Sequence, residues 1–238
     1  AERKLLGLQK KMEELGVIVD DTFVYNEEKH LTVMKTSLFF AGDGYTVYDC
    51  KGELVFRVDS YGPDAREKDE IVLMDAQGKC LLTVRRKIDD SGSDSFSSAI
   101  HSERNDKQRP SLHHRWEGFV GERTEGQKPI FNVRRSSIIG RSSMTVEVFK
   151  GSGDEYQIEG CFGNRNCTIF NAAKEPMAEI KRKVDATTNV VLGKDVFSLI
   201  LKPGFDGAFA MGLVLILDQI NGDSFEDDGT EMDPTAGD

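Results

Sequence analysis

Residues 207–217, GAFAMGLVLIL, carry no charge between Asp206 and Asp218. Asp206 is suited to cap a helix starting there, and Asn221-Gly222 is a stop signal, so the pattern predicts a helix over 207–220. Some 14 helical residues span roughly 21 Å, against a hydrocarbon slab of about 30 Å. The run also lacks a basic flank that would hold an orientation in a bilayer. A helix apolar on every side must be buried. Phe209, Met211, Leu213, Val214, Leu215, Ile216, Leu217 and Ile220 are therefore expected to be core residues.

What surrounds this helix is read from the rest of the chain. Short β-branched or aromatic runs recur between turn-forming residues, at 16–25, 31–40, 45–49, 54–58, 70–74, 81–85, 115–120, 129–133, 144–149, 156–160, 168–170, 177–181 and 196–201. Long helical periodicity is absent between the first 15 residues and the apolar run. The economical solution is a sheet closed around the helix, which also removes exposed strand edges.

Three segments share a turn pattern: Asp49-Cys50-Lys51-Gly52, Asp75-Ala76-Gln77-Gly78 and Asn171-Ala172-Ala173-Lys174. Each follows an apolar pair, and Asp or Asn suits the first position because its side chain bonds the backbone two residues on. They read as hairpins, hence as an antiparallel sheet. The second and third continue alike, Thr83–Ile88 against Glu179–Val184, at an offset of 96 residues. A barrel of two related halves would produce that echo.

The opening, AERKLLGLQKKMEELG, reads as an amphipathic helix over 1–15 rather than a signal peptide, with Leu5, Leu8, Met12 and Leu15 on one face. Residues 88–111 are polar and read as a long surface loop within a single barrel domain over 16–222. Of the net charge of −10, six negative charges lie in 224–238, leaving −4 on the body. Residues 223–238 therefore read as an acidic disordered tail, and the near-balanced body argues against a nucleic-acid footprint over the whole surface. Four cysteines in a chain of 238 do not form a disulfide scaffold, so the thiols read as reduced and the compartment as cytoplasmic or nuclear.

A resemblance joins these elements. Leu31-Thr32-Val33-Met34-Lys35, Tyr45-Thr46-Val47-Tyr48-Asp49, Leu73-Met74-Asp75-Ala76-Gln77-Gly78, Arg115-Trp116-Glu117, Asn132-Val133-Arg134-Arg135-Ser136-Ser137, Val191-Leu192-Gly193-Lys194-Asp195 and the closing run from Ala208-Phe209 to Ile220-Asn221 carry it. Over about residues 16–221 the chain resembles the plant LURP-one-related family, within the tubby C-terminal-like superfamily that includes phospholipid scramblases. The loop 88–111 is longer than that family leads one to expect. The resemblance implies a closed twelve-stranded antiparallel barrel threaded by the C-terminal helix. It further implies a non-enzymatic module linked to plant defence, with membrane tethering through phosphoinositides or scramblase-like lipid movement as analogies from related folds.

Tubby-like headgroup binding uses cations alternating along a strand, which places both on one face where they converge on phosphate oxygens. Arg85 with Lys87 and Lys181 with Lys183 have that form, and Arg134-Arg135 is a third basic cluster. Anionic membrane phospholipids are the partner these clusters suggest, with attachment at the plasma membrane. The alternative is a soluble scaffold or transcription-linked protein whose acidic tail makes its contacts. Other chemistry finds little support. His113-His114 beside Trp116 is a poor chelate, because neighbours in a strand face opposite ways. Cys161 and Cys167 flank a turn and read as buried structural thiols, and residues 218–223 lack the frame of a calcium loop. No cofactor motif occurs in the chain.

Overall fold

The computed structural model describes residues 17–38, 42–58, 70–87, 115–135, 143–150 and 153–226. The helix expected over 1–15, the loop 88–111, His113-His114 and the tail from 227 onward lie outside them.

Twelve strands follow in order: β1 (Lys29–Leu38), β2 (Gly42–Tyr48), β3 (Leu54–Val58), β4 (Glu70–Asp75), β5 (Cys80–Arg86), β6 (Arg115–Val120), β7 (Phe131–Arg135), β8 (Ser143–Val148), β9 (Glu155–Cys161), β10 (Asn166–Phe170), β11 (Pro176–Arg182) and β12 (Val196–Leu201). Each pairs antiparallel with the next, and β12 closes on β1, Lys29 opposite Leu201 through Met34 opposite Val196. The closed antiparallel barrel is the architecture expected from the sequence.

Alternation decides what the barrel holds. Leu31 and Val33, Leu82 and Val84, Phe131 and Val133, and Phe197, Leu199 and Leu201 all point inward and are buried. The helix α1 (Gly207–Glu226) fills the interior. Its eight expected core residues, Phe209 to Ile220, are each at most 4% exposed. Among the described residues no helix is long and apolar enough to cross a membrane.

Two expectations fail. The helix runs past Asn221-Gly222 to Glu226, so residues 223–226 belong to α1 rather than to the tail. Gly222 is not among the glycines of positive φ. A helical glycine costs only about 1 kcal/mol relative to alanine, which four further residues of helix can outweigh. The described part of the run 16–25 is not a strand either. Val17, Ile18 and Val19 are buried, but the segment turns through a 3-10 helix at Asp21–Phe23 and then makes an isolated bridge, outside the barrel strands, between Val24 and Asp206.

The first two hairpin turns are alike to the level of single bonds, and the third shares one of the two. Asp49 Oδ1 accepts from the N–H groups of Lys51 (2.8 Å) and Glu53 (3.0 Å). Asp75 Oδ1 accepts from Gln77 (2.9 Å) and Lys79 (2.8 Å), and Asn171 Oδ1 from Glu175 (2.9 Å). The fourth residue of each is left-handed: Gly52 at φ 80°, Gly78 at 87° and Lys174 at 62°. Each hairpin carries a register shift beside its turn, as a bulged hairpin requires. The 96-residue echo falls on β5 and β11, six strands apart in the ring of twelve. Lysine in the left-handed region costs about 1–2 kcal/mol. Lys174 gains only exposed contacts, with Gln157 and with Glu159 at 3.1 Å. Lys174→Gly is accordingly expected to raise stability by about 0.5–1 kcal/mol, glycine's larger unfolded-state entropy offsetting part of the gain. Thermal unfolding checks this.

Candidate functional site

The six basic residues picked out by the sequence lie on three separate walls. Arg85 is on β5 with Lys87 just beyond it, Arg134 and Arg135 end β7, and Lys181 is on β11 with Lys183 just beyond. Since β5 and β11 are diametrically placed, the clusters form no common site.

Within the first and third clusters the alternation puts the side chains on the outer face, where partners meet them, across strands for Arg85, Lys87 and Lys183 and two residues back on the same strand for Lys181. Arg85 Nε is 3.8 Å from Glu70 Oε1, and Lys87 Nζ is 3.1 Å from Glu117. Arg134 Nη2 lies 2.6 Å from Glu147, and Lys181 Nζ 2.5 Å from Glu179. Lys183 Nζ donates to Thr32 Oγ1 at 2.9 Å, across β12. Hydrogen bonding by Lys181, joined by Lys202, holds the Glu179 carboxyl below its ordinary value despite some desolvation. Exposed pairs of this kind are worth about 0–1 kcal/mol, so an incoming phosphate can compete for them. Arg134 and Arg135 part company. Arg135 stands opposite Met144 in the register that places Val133 opposite Val146, so it faces the mouth of the barrel.

The surroundings single out the third cluster. Between β11 and β12 the chain forms a small hairpin, with the N–H of Leu192 donating to Lys183 O at 2.8 Å and Val184 bridging Val191. Its turn is pinned by Asp185 Oδ1, which accepts from Thr187 N (2.9 Å) and Thr188 N (2.7 Å). Asp185 stays ionised to lower pH than usual, chiefly through the Thr188 backbone bond. The finger exposes Val184 (45%), Val190 (58%) and Val191 (48%), and Met34 (39%) on β1 stands beside it, opposite Val196. Four cations, Lys181, Arg182, Lys183 and Lys194, and two anions, Asp185 and Asp195, occupy 181–195. That local excess of +2 sits on a chain of −10.

The base of this finger is tied to the central helix. Arg165 is left-handed (φ 51°) and stacks between Phe162 and Phe197, its Cζ 4.1 and 4.4 Å from their centroids. Its Nε donates to Lys194 O at 2.8 Å, while Nη2 is 3.7 Å from Asp218 Oδ1 on α1. Lys35 of β1 donates to the same carboxylate at 2.8 Å. Neither this link nor the exposed valines were singled out by sequence. The nearest signal was Asp218, which ends the apolar run.

Chemistry outside these clusters is sparse. Among the described residues no group of three or more His, Cys, Asp or Glu is placed to hold a metal ion, and 218–223 is helical rather than a loop. The cysteines at 50, 80, 161 and 167 are free thiols. Cys167 is buried as expected, and burial pushes its thiol up to about 12, far from a nucleophile. Cys161, in contrast to the sequence reading, is exposed, because it ends β9 at the barrel mouth.

A closed twelve-stranded antiparallel barrel with a buried C-terminal helix as its post is the class of protein these elements define. The family model described as LURP-one-related matches residues 29–218. Protein LURP-one-related 12 of Arabidopsis thaliana is 60% identical over 223 residues, covering 94% of this chain and 91% of its own. Protein LURP-one-related 5 of the same organism is 62% identical over 230 residues, covering 94% and 98%. The chain belongs to the LURP-one-related family. An X-ray structure of an Arabidopsis thaliana protein matches with a TM-score of 0.56 at 20% identity, covering 87% of this chain and 99% of that one, a likeness of fold.

Proposed function

We propose that this protein is a non-enzymatic binding module that attaches from the cytoplasmic side to anionic phospholipids, phosphoinositides among them, through the finger between β11 and β12. One observation carries the reading: three exposed valines stand within the segment whose cations outnumber its anions. Aliphatic tips favour the acyl boundary of a bilayer, and each nearby Lys or Arg adds about 1 kcal/mol against an anionic surface. The alternation of Lys181 and Lys183 on the outer wall supports headgroup contact beside the inserted tip. In this reading the defence role implied by the family is exercised at the membrane surface.

Vesicle co-sedimentation tests it. Wild-type protein is expected to sediment with phosphoinositide-containing vesicles and weakly with phosphatidylcholine alone. Lys181→Glu with Lys183→Glu, and separately Val190→Asp, are each expected to weaken that binding at least about tenfold. Arg85→Glu with Lys87→Glu, on the opposite wall, is expected to leave it within a factor of about two. Unchanged binding by the first pair would sink this site. No vesicle binding by the wild type would favour the soluble scaffold acting through protein contacts.

A further inference from the structure

A cavity of about 100 Å³ opens at the barrel mouth beside the last apolar turns of α1. Gly160 of β9 lies in its lining, pressed against the backbone of β10. A Cβ there would lie 2.2 Å from Asn166 O, and its φ of 117° suits glycine alone. Leu217 and Ile220 of α1 form one wall, and Met144 and Ile158 of β8 and β9 the other. Arg135 stands at the rim. Its neighbour Arg134 is held by Glu147, whereas the Arg135 side chain makes no hydrogen bond or ion pair among the described residues.

We infer that this cavity binds a small amphipathic carboxylate, with its aliphatic chain between α1 and β8–β9 and its carboxylate on the Arg135 guanidinium. The walls select the chain. A dry cavity of about 150 Å³ holds benzene, so this one holds about four or five carbons. The free guanidinium selects the head, since its planar fork matches a carboxylate and, among the described residues, the rest of the lining is neutral, with Ser143, Cys161 and Asn221 as its polar members. The site lies on the walls of β7 to β10 and does not rest on the membrane reading.

The chain carries its own reporter. Cys161 lines the cavity and is exposed, while Cys50 is exposed on the β2–β3 turn at the other end of the barrel. Iodoacetamide labelling of the two thiols, read by peptide mass spectrometry on the whole protein, is compared with hexanoate, hexan-1-ol or acetate present. Hexanoate is expected to slow labelling of Cys161 severalfold and leave Cys50 unchanged. Hexan-1-ol is expected to protect more weakly and acetate not at all. In Arg135→Gln the hexanoate concentration for half-protection is expected to rise about tenfold, to that of the alcohol. Equal protection by acetate, no protection by hexanoate, or parallel slowing of Cys50 overturns the site. Unchanged hexanoate affinity in Arg135→Gln overturns the carboxylate assignment.

Discussion

Asp206→Ala is expected to lower the unfolding free energy by about 3–5 kcal/mol, far more than the loss of an ordinary helix cap at about 1 kcal/mol. The reason is that one carboxylate serves two segments. Its Oδ1 accepts from the N–H groups of Ala208 (2.9 Å) and Phe209 (3.1 Å), capping α1. Its Oδ2 accepts from Ile18 (3.1 Å), Val19 (2.7 Å) and Asp20 (3.1 Å), which latches the N-terminal segment over the barrel end. Burial pushes this carboxyl up, and the bonds from Val19, Phe209, Asp20 and Ile18 pull against that push. Alanine leaves four of these donors buried without an acceptor, at about 1–3 kcal/mol each before water relieves some of them. Asp206→Asn retains one acceptor for the cap but turns an amide NH₂ toward the latch, so an intermediate loss of about 2 kcal/mol is expected. Urea denaturation of the three proteins gives the comparison. A loss near 1 kcal/mol for Asp206→Ala would show that the latch contributes nothing beyond the cap.

That latch also marks where sequence reasoning reaches its limit. Twelve of the strand runs, the hairpin residues and the buried helix were legible because each is written in local periodicity or in one turn. The run 16–25 has the same β-branched composition and was read as a strand for that reason. What separates it from the others is a hydrogen-bond acceptor at Asp206, 188 positions from Ile18. Alternation likewise showed that Lys181 and Lys183 share a face. It could not show that Thr32 would meet Lys183 across β12, nor that Arg135 would stand opposite Met144 at the barrel mouth, because both follow from register between strands. Gly160 borders the cavity because the backbone of β10 approaches it closely, and in sequence a glycine inside a strand signals only a bulge or a close approach.

Close approach of that kind sets the second large effect, on the barrel wall facing the helix. Gly118 of β6 is paired with Phe131 of β7, whose ring lies across it, and a Cβ on Gly118 would be 2.1 Å from Phe131 Cε1. Its backbone is not left-handed, so glycine is required here by space and not by φ. Phe131 cannot retreat, because Phe209 of α1 stands behind it edge-on, centroids 5.0 Å apart, and is itself backed by Tyr156 (5.6 Å) and Phe205 (5.8 Å). Gly118→Ala is therefore expected to cost about 2–3 kcal/mol by overpacking, and Phe209→Ala about 3–5 kcal/mol by leaving a cavity. In the double variant the displaced Phe131 ring gains room in the space left by Phe209. The combined loss is expected to fall short of the sum by at least about 1 kcal/mol. Additive losses in denaturant unfolding would mean that Gly118 is accommodated some other way. A clear shortfall would show that wall and post are packed as one unit, with the position of α1 set by the strand residues it touches.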